Sequence, residues 1–163
     1  IRDRVASGRT ATESVDAALA AGAALLASEQ LGLTRWSLEA TVDYTKNRVQ
    51  FARPIGSFQA IKHRLADLYL LLVNAQAAAR YAAATLAEDD PDQYVAQALA
   101  QSFCSDAAVR ATEEALQLHG GSGMTWEAPV HTRLKRAKSD QLALGTPDRH
   151  RTDLAELVDL PVS

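Results

Sequence analysis

Residues 48–68 read RVQFARPIGSFQAIKHRLADL, and this stretch decides the architecture. It is the end of one long helix, a tight polar turn and the start of a second helix. Pro54 and Gly56 close the turn. Beyond it Phe58, Ile61, Leu65, Leu68 and Leu72 recur at helical spacing, with Lys62, Arg64 and Asp67 off that face. The turn also collects Arg48, Gln50, Phe51 and Gln59. A guanidinium beside amide side chains, capped by a ring, suits an anionic, partly aromatic ligand such as a nucleotide cofactor. A solvated helix–turn–helix corner accounts for the same residues.

Upstream, residues 11–48 read as one helix with Val15, Leu19, Leu26, Leu33 and Val42 as its apolar stripe. Thr10-Ala-Thr-Glu13 has the form of a capping box at its start. Gly22 and Gly32 lie inside it and imply close helix–helix approach. Downstream, the second helix covers about residues 57–88, and its alanine-rich part, residues 75–84, reads as a close-packing face or a contact between subunits. An acidic loop follows. Asp90-Pro91 is a suitable N-cap and first turn for a third helix carrying Val95, Leu99, Phe103, Ala107 and Ala111. His119-Gly120-Gly121 stops that helix. Pro129 opens a fourth, to about residue 144, and Thr146-Pro147 caps a short last one through about residue 160. The expected fold is all-α: an up–down four-helix bundle over residues 11–163 with a short extra C-terminal helix. Residues 1–10 are expected to be a linker or the tail of a preceding domain, in a chain cut from a longer polypeptide.

Composition agrees. At 163 residues the chain is one domain, large enough to bury a core without staples. Apolar residues make up 47%, much of it alanine, the best helix former, and Gly and Pro are few. A net charge of -3 argues against general nucleic-acid binding. Cys104 is the one cysteine and reads as a small buried hydrophobe, which fits a reducing, cytoplasmic setting. No apolar run approaches the roughly 20 residues that span a bilayer, and no signal peptide is visible. His119 and His131 have no partners at metal spacing.

The pattern R-x-Q-F-x-R-P-I-G-x-F-Q-A-x-K-H-x-L-A-D from Arg48 onward resembles the first interhelical turn of the carboxyl-terminal helical domain of acyl-CoA dehydrogenases. ALQLHGGSGM, residues 115–124, resembles that domain's Q-x-x-G-G-x-G turn, in the same order and at the same spacing. The resemblance covers about residues 16–151. It implies an FAD-dependent enzyme that dehydrogenates an acyl-CoA thioester, and a homo- or hetero-tetramer in which these turns reach a neighbouring subunit's FAD. By position, Arg48 would hold the pyrophosphate, with Phe51, Gln59, Gln117, Gly120, Gly121 and Thr146 completing the cofactor contacts. Thr146 reads equally as a plain N-cap, and Gly120-Gly121 as a helix C-cap.

Two departures from the family pattern matter. The reaction needs a carboxylate to take the α proton. Most members place a glutamate directly before the Gly-Thr of the last turn, where this chain has Leu144. Others place it on the first helix, about ten residues before a Leu-Gly pair, where this chain has Gly22. Glu29 and Asp140 are the nearest substitutes, each better read as a structural carboxylate. The expectation is therefore a subunit without its own base that supports a partner's FAD, as in heteromeric actinobacterial members acting on steroid side chains. The competing readings are an active homotetramer with its base elsewhere and a cofactor-free helical assembly module. Six Lys and Arg residues at positions 133–151 read as a solvated helix face, or as an edge facing CoA or flavin phosphates.

Overall fold

The computed structural model describes residues 8–160; most of the expected linker lies outside them. Five helices follow in order: α1 (Arg9–Asn47), α2 (Gln59–Ala87), α3 (Gln93–His119), α4 (Val130–Leu142) and α5 (Pro147–Leu157). Between α1 and α2 the turn forms a hairpin, β1 (Val49–Gln50) with β2 (Arg53–Pro54), and then a 3-10 turn over Ile55–Ser57. The expected bundle with an extra C-terminal helix is the observed architecture; the hairpin was not foreseen.

α3 is the central helix, packed against all the others and buried on most of its circumference. Its core is an alanine seam. Ala24 and Ala27 of α1, Ala75 and Ala79 of α2, and Ala96 and Ala100 of α3 interlock in one cluster. Alanine brings axes close at no side-chain entropy cost, which bears out the close-packing reading of residues 75–84. Cys104 is buried in that seam, its Sγ 3.5 Å from the Ala75 carbonyl, and burial pushes its pKa up to about 12. A thiol so placed is inert.

α1 departs from its expected stripe. Val15 is 57% and Leu19 45% exposed; Leu33 of the stripe is buried, and the buried face also carries Gln30, Thr34, Ser37, Leu38, Thr41 and Thr45. The hydroxyls of Thr34, Ser37 and Thr41 donate to carbonyls four residues back, at 2.9, 2.8 and 2.6 Å. A hydroxyl satisfied within its own helix is buried as a small neutral residue. Ser105 and Thr112 of α3 do the same.

Several end signals also shift. α1 starts at Arg9 after Gly8, with no side-chain cap, so the Thr10 capping box does not form; Glu13 pairs with Arg9 at 3.4 Å. α3 starts at Gln93, and the Asp90 carboxylate accepts from the Asp92 amide at 2.8 Å, an Asx turn rather than a helix cap. Gly32 has nothing within 4 Å of a built Cβ, so only Gly22 of the two α1 glycines marks a close approach. α1 holds a window with mean hydropathy 1.2, making it the one helix among the described residues long and apolar enough to span a bilayer. A core helix passes the same test of length and composition, and α1 packs its apolar face on α2 and α3.

Candidate functional site

α1 and α3 end side by side, so the first corner (residues 48–59) and the second (residues 117–124) share one end of the bundle. Tyr44 makes the join. Its ring stacks on His119 at 4.2 Å, and its hydroxyl donates to the His119 carbonyl at 3.2 Å. Arg48 follows one turn later, its amide donating to the Tyr44 carbonyl at 2.8 Å. The Arg48 side chain is exposed and enters none of the ion pairs among the described residues. It is a cation without an internal job.

The hairpin tip carries strain. Phe51 and Ala52 have φ of 53° and 61°, the left-handed pair that a two-residue turn demands and glycine or asparagine usually supplies. Each costs roughly 1–2 kcal/mol in an L-residue. The strain holds the Phe51 ring out, 88% exposed, touching the Phe58 ring edge-on at 6.1 Å. Arg53 covers the Phe58 face at 3.9 Å. Gln59, the first residue of α2, is exposed on the same corner.

At the second corner Gln117, Gly120 and Gly121 line a cavity of about 410 Å3 with Glu113, Leu116 and Met124. Gly120 has φ 58° and ψ -142°, a conformation open only to glycine, and its amide donates back to the Leu116 and Gln117 carbonyls. That amide is spent on the C-cap, so Gly120 offers an outside ligand absence of bulk rather than a donor. Nothing lies within 4 Å of a Cβ built on Gly120 or Gly121. The end as a whole presents a free guanidinium, exposed amides, an exposed ring and an unobstructed glycine pair. Those groups suit a phosphate ester that carries a flat ring system. Sequence reading missed Tyr44 as part of this end, and the contact of its ring with His119; the i, i+4 spacing of Tyr44 and Arg48 was the available signal.

The other end holds the turn between α4 and α5. Gly22 and Leu144 meet there: a Cβ on Gly22 would lie 3.1 Å from Leu144 Cδ1. Leu144 has φ 58°, and three buried side chains from three helices hold the turn. Gln30 Nε2 donates to the Asp140 carbonyl at 3.3 Å, Gln101 Nε2 to the Ala143 carbonyl at 3.5 Å, and His150 Nε2 to the Leu144 carbonyl at 3.1 Å. Thr146 caps α5, its hydroxyl accepting from the Arg149 amide at 3.4 Å. Leu144 also lines a cleft of about 540 Å3 between the starts of α1 and α3 and the length of α5.

The candidate carboxylates are tied up. Glu29 pairs with Arg136 at 2.7 Å and is solvent-exposed, not apolar as its helical neighbours implied. Asp140 is buried and pairs with the same Arg136 at 3.0 Å; burial, then the Glu29 charge, pushes its pKa up against the lowering pull of Arg136. Four of the six cations in the basic run are paired: Arg136 with Glu29 and Asp140, Lys138 with Glu113, Arg149 with Asp153, and Arg151 with Asp106 and Asp148. Arg133 lies over the Trp36 ring, and Lys135 enters none of the ion pairs among the described residues.

The domain is thus an all-α bundle with two polar corners at one end and a pinned turn at the other. The family model for the acyl-CoA dehydrogenase C-terminal domain matches residues 12–158, and the chain belongs to that family. It is 45% identical over 144 residues to acyl-CoA dehydrogenase IpdE2 of Mycolicibacterium smegmatis, covering 88% of this chain and 44% of that protein. It superposes on a chain of the ChsE4-ChsE5 complex from Mycobacterium tuberculosis with a TM-score of 0.79 at 32% identity, covering 88% of this chain and 39% of that one. A chain of the Tcur3481-Tcur3483 steroid ACAD gives a TM-score of 0.79 at 28% identity, over 84% and 38% of the two chains. The chain thus spans less than half the length of these relatives.

Proposed function

We propose that this domain belongs to a subunit of an FAD-dependent acyl-CoA dehydrogenase that has lost its own base and grips the FAD of an adjoining subunit. The observation that carries the reading is a distance. At the helical rise of about 1.5 Å per residue, Gly22 and Arg48 lie roughly 39 Å apart along α1. One cofactor cannot present its reactive ring at the first and its pyrophosphate at the second. The two ends of the domain therefore serve two different sites.

At the base end, Gly22 and Leu144 pack together and neither accepts a proton. Glu29, two turns farther along α1 and roughly 10 Å from Gly22, is held by Arg136, so the turn keeps its shape without its acid. At the corner end, Arg48 pairs phosphate oxygens through its planar fork. Phe51 covers a flat edge, Gln59 and Gln117 supply amides, and Gly120 and Gly121 leave room. Thr146 would contribute from the base end, to this subunit's own side of the assembly. When bound, FAD accepts hydride from the substrate β carbon. The substrate is an acyl-CoA thioester, with steroid side chains favoured by the likeness to the steroid ACAD. The partner is a related subunit carrying the glutamate, together making a heterotetramer.

The test uses the full-length chain with the subunit that co-purifies with it. Arg48→Ala is expected to weaken FAD retention by about 10-fold or more, the worth of a charge-assisted contact. Unchanged flavin content would defeat the cofactor reading and favour a plain assembly module. Separately, the full-length chain alone should leave its flavin oxidised when given acyl-CoA. Bleaching would mean an active homotetramer with a base elsewhere.

A further inference from the structure

We infer that Tyr44 is a positioning residue that fixes the spacing between the two corners, so that Arg48 and Gln117 act on one ligand. The inference rests on the cofactor reading above and adds how the grip is assembled. Each corner folds onto an anchor through a glycine. Gly56 packs on the backbone of Thr45, where a Cβ would lie 3.1 Å from the Thr45 carbonyl oxygen. Gly123 packs on His119, where a Cβ would lie 3.0 Å from the His119 Cβ. Tyr44 precedes the first anchor in the chain and bonds and stacks on the second. His119 is fixed in turn, its Nδ1–H donating to the Ala115 carbonyl at 2.7 Å.

The chain of contacts is short. From Arg48, the amide bond to the Tyr44 carbonyl leads through the Tyr44 ring to His119, two residues past Gln117. The Ile55 amide closes the hairpin on the Arg48 carbonyl at 2.8 Å. Slack at Tyr44 would let the corners splay. Two groups that each hold a dinucleotide loosely bind far better when their separation is preset, because less freedom is lost on binding.

Tyr44→Phe isolates the effect, since it keeps the ring stack and deletes only the hydroxyl. In the full-length complex this variant is expected to weaken FAD binding about fivefold, the worth of one hydrogen bond. The melting temperature of the flavin-free complex should fall only slightly, by the loss of one hydrogen bond. The discriminating readout is whether the loss of FAD affinity depends on Arg48, which a merely structural role would not require. In an Arg48→Ala background the same change should have no further effect, because the group being positioned is gone. Equal FAD affinity in Tyr44→Phe and wild type, with Arg48→Ala still weakened, overturns the role of Tyr44 alone. Full additivity of the two changes overturns it too. If Arg48→Ala itself has no effect, the failure belongs to the cofactor reading.

Discussion

At the scale of single residues, the two ends of α1 show opposite uses of backbone strain. Phe51 is held out into solvent, whereas Leu144, 39% exposed on the cleft wall, touches Gly22 in a turn whose carbonyls are held by Gln30, Gln101 and His150. Gly145 belongs to the second device. Its φ is 113°, and a Cβ there would lie 2.8 Å from His150 Nε2. Gly145→Ala should therefore cost about 1–3 kcal/mol in a urea melt. Gly32→Ala, in an open helical position, should instead gain up to about 1 kcal/mol. His150 adds a pH dependence. Burial holds its pKa below the ordinary 6.5, outweighing the bond to the Leu144 carbonyl and the Asp153 charge, with Arg149 also lowering it. The neutral ring's contribution is complete above 6.5 and lost as pH falls through the lower folded value. Melting temperature should fall across that acidic window, and His150→Gln should remove that component while keeping a donor for Leu144. An identical pH profile in the variant would contradict this.

At the scale of elements, the helices were legible and their faces less so. Spacing of Leu68 and Leu72, the Thr146 cap and the Gly120 stop identified α2, α5 and the end of α3. The α1 stripe failed at Val15 and Leu19, which stay exposed, Leu19 on the wall of the cleft that α1 forms with α3 and α5. It also failed because Thr34, Ser37 and Thr41 read as polar although their hydroxyls are satisfied inside the helix. No periodicity rule based on polarity finds a buried seam of that kind. The hairpin escaped for a related reason: Phe51-Ala52 lacks the Asn-Gly signature of its turn type. The same packing logic gives a test at the alanine seam. Ala100 is fully buried between helices, so Ala100→Leu should destabilise by about 1–3 kcal/mol through overpacking. Chemical denaturation reads it, and an unchanged midpoint would mean the helices are not closely seated there.

At the scale of the whole molecule, α1 is a rod with different chemistry at its two ends. The corner residues Arg48, Phe51, Gln59 and Gln117 were nameable from the sequence because two motifs carried them. The resemblance also implied that the two corners serve one cofactor, but the Tyr44–His119 contact that joins them across the bundle was not legible. Nor did the sequence reveal that Gly22 and Leu144 touch, which explains how both can be free of a carboxylate in one well-packed turn. A leucine fills the space that a side chain on Gly22 would need. The most direct measurement is an experimental structure of the full-length complex with FAD bound. The account predicts the pyrophosphate of one subunit's flavin within about 3 Å of the Arg48 guanidinium of another, with Gln117 at the same cofactor. A pyrophosphate held wholly within its own subunit, leaving Arg48 in solvent, would contradict it.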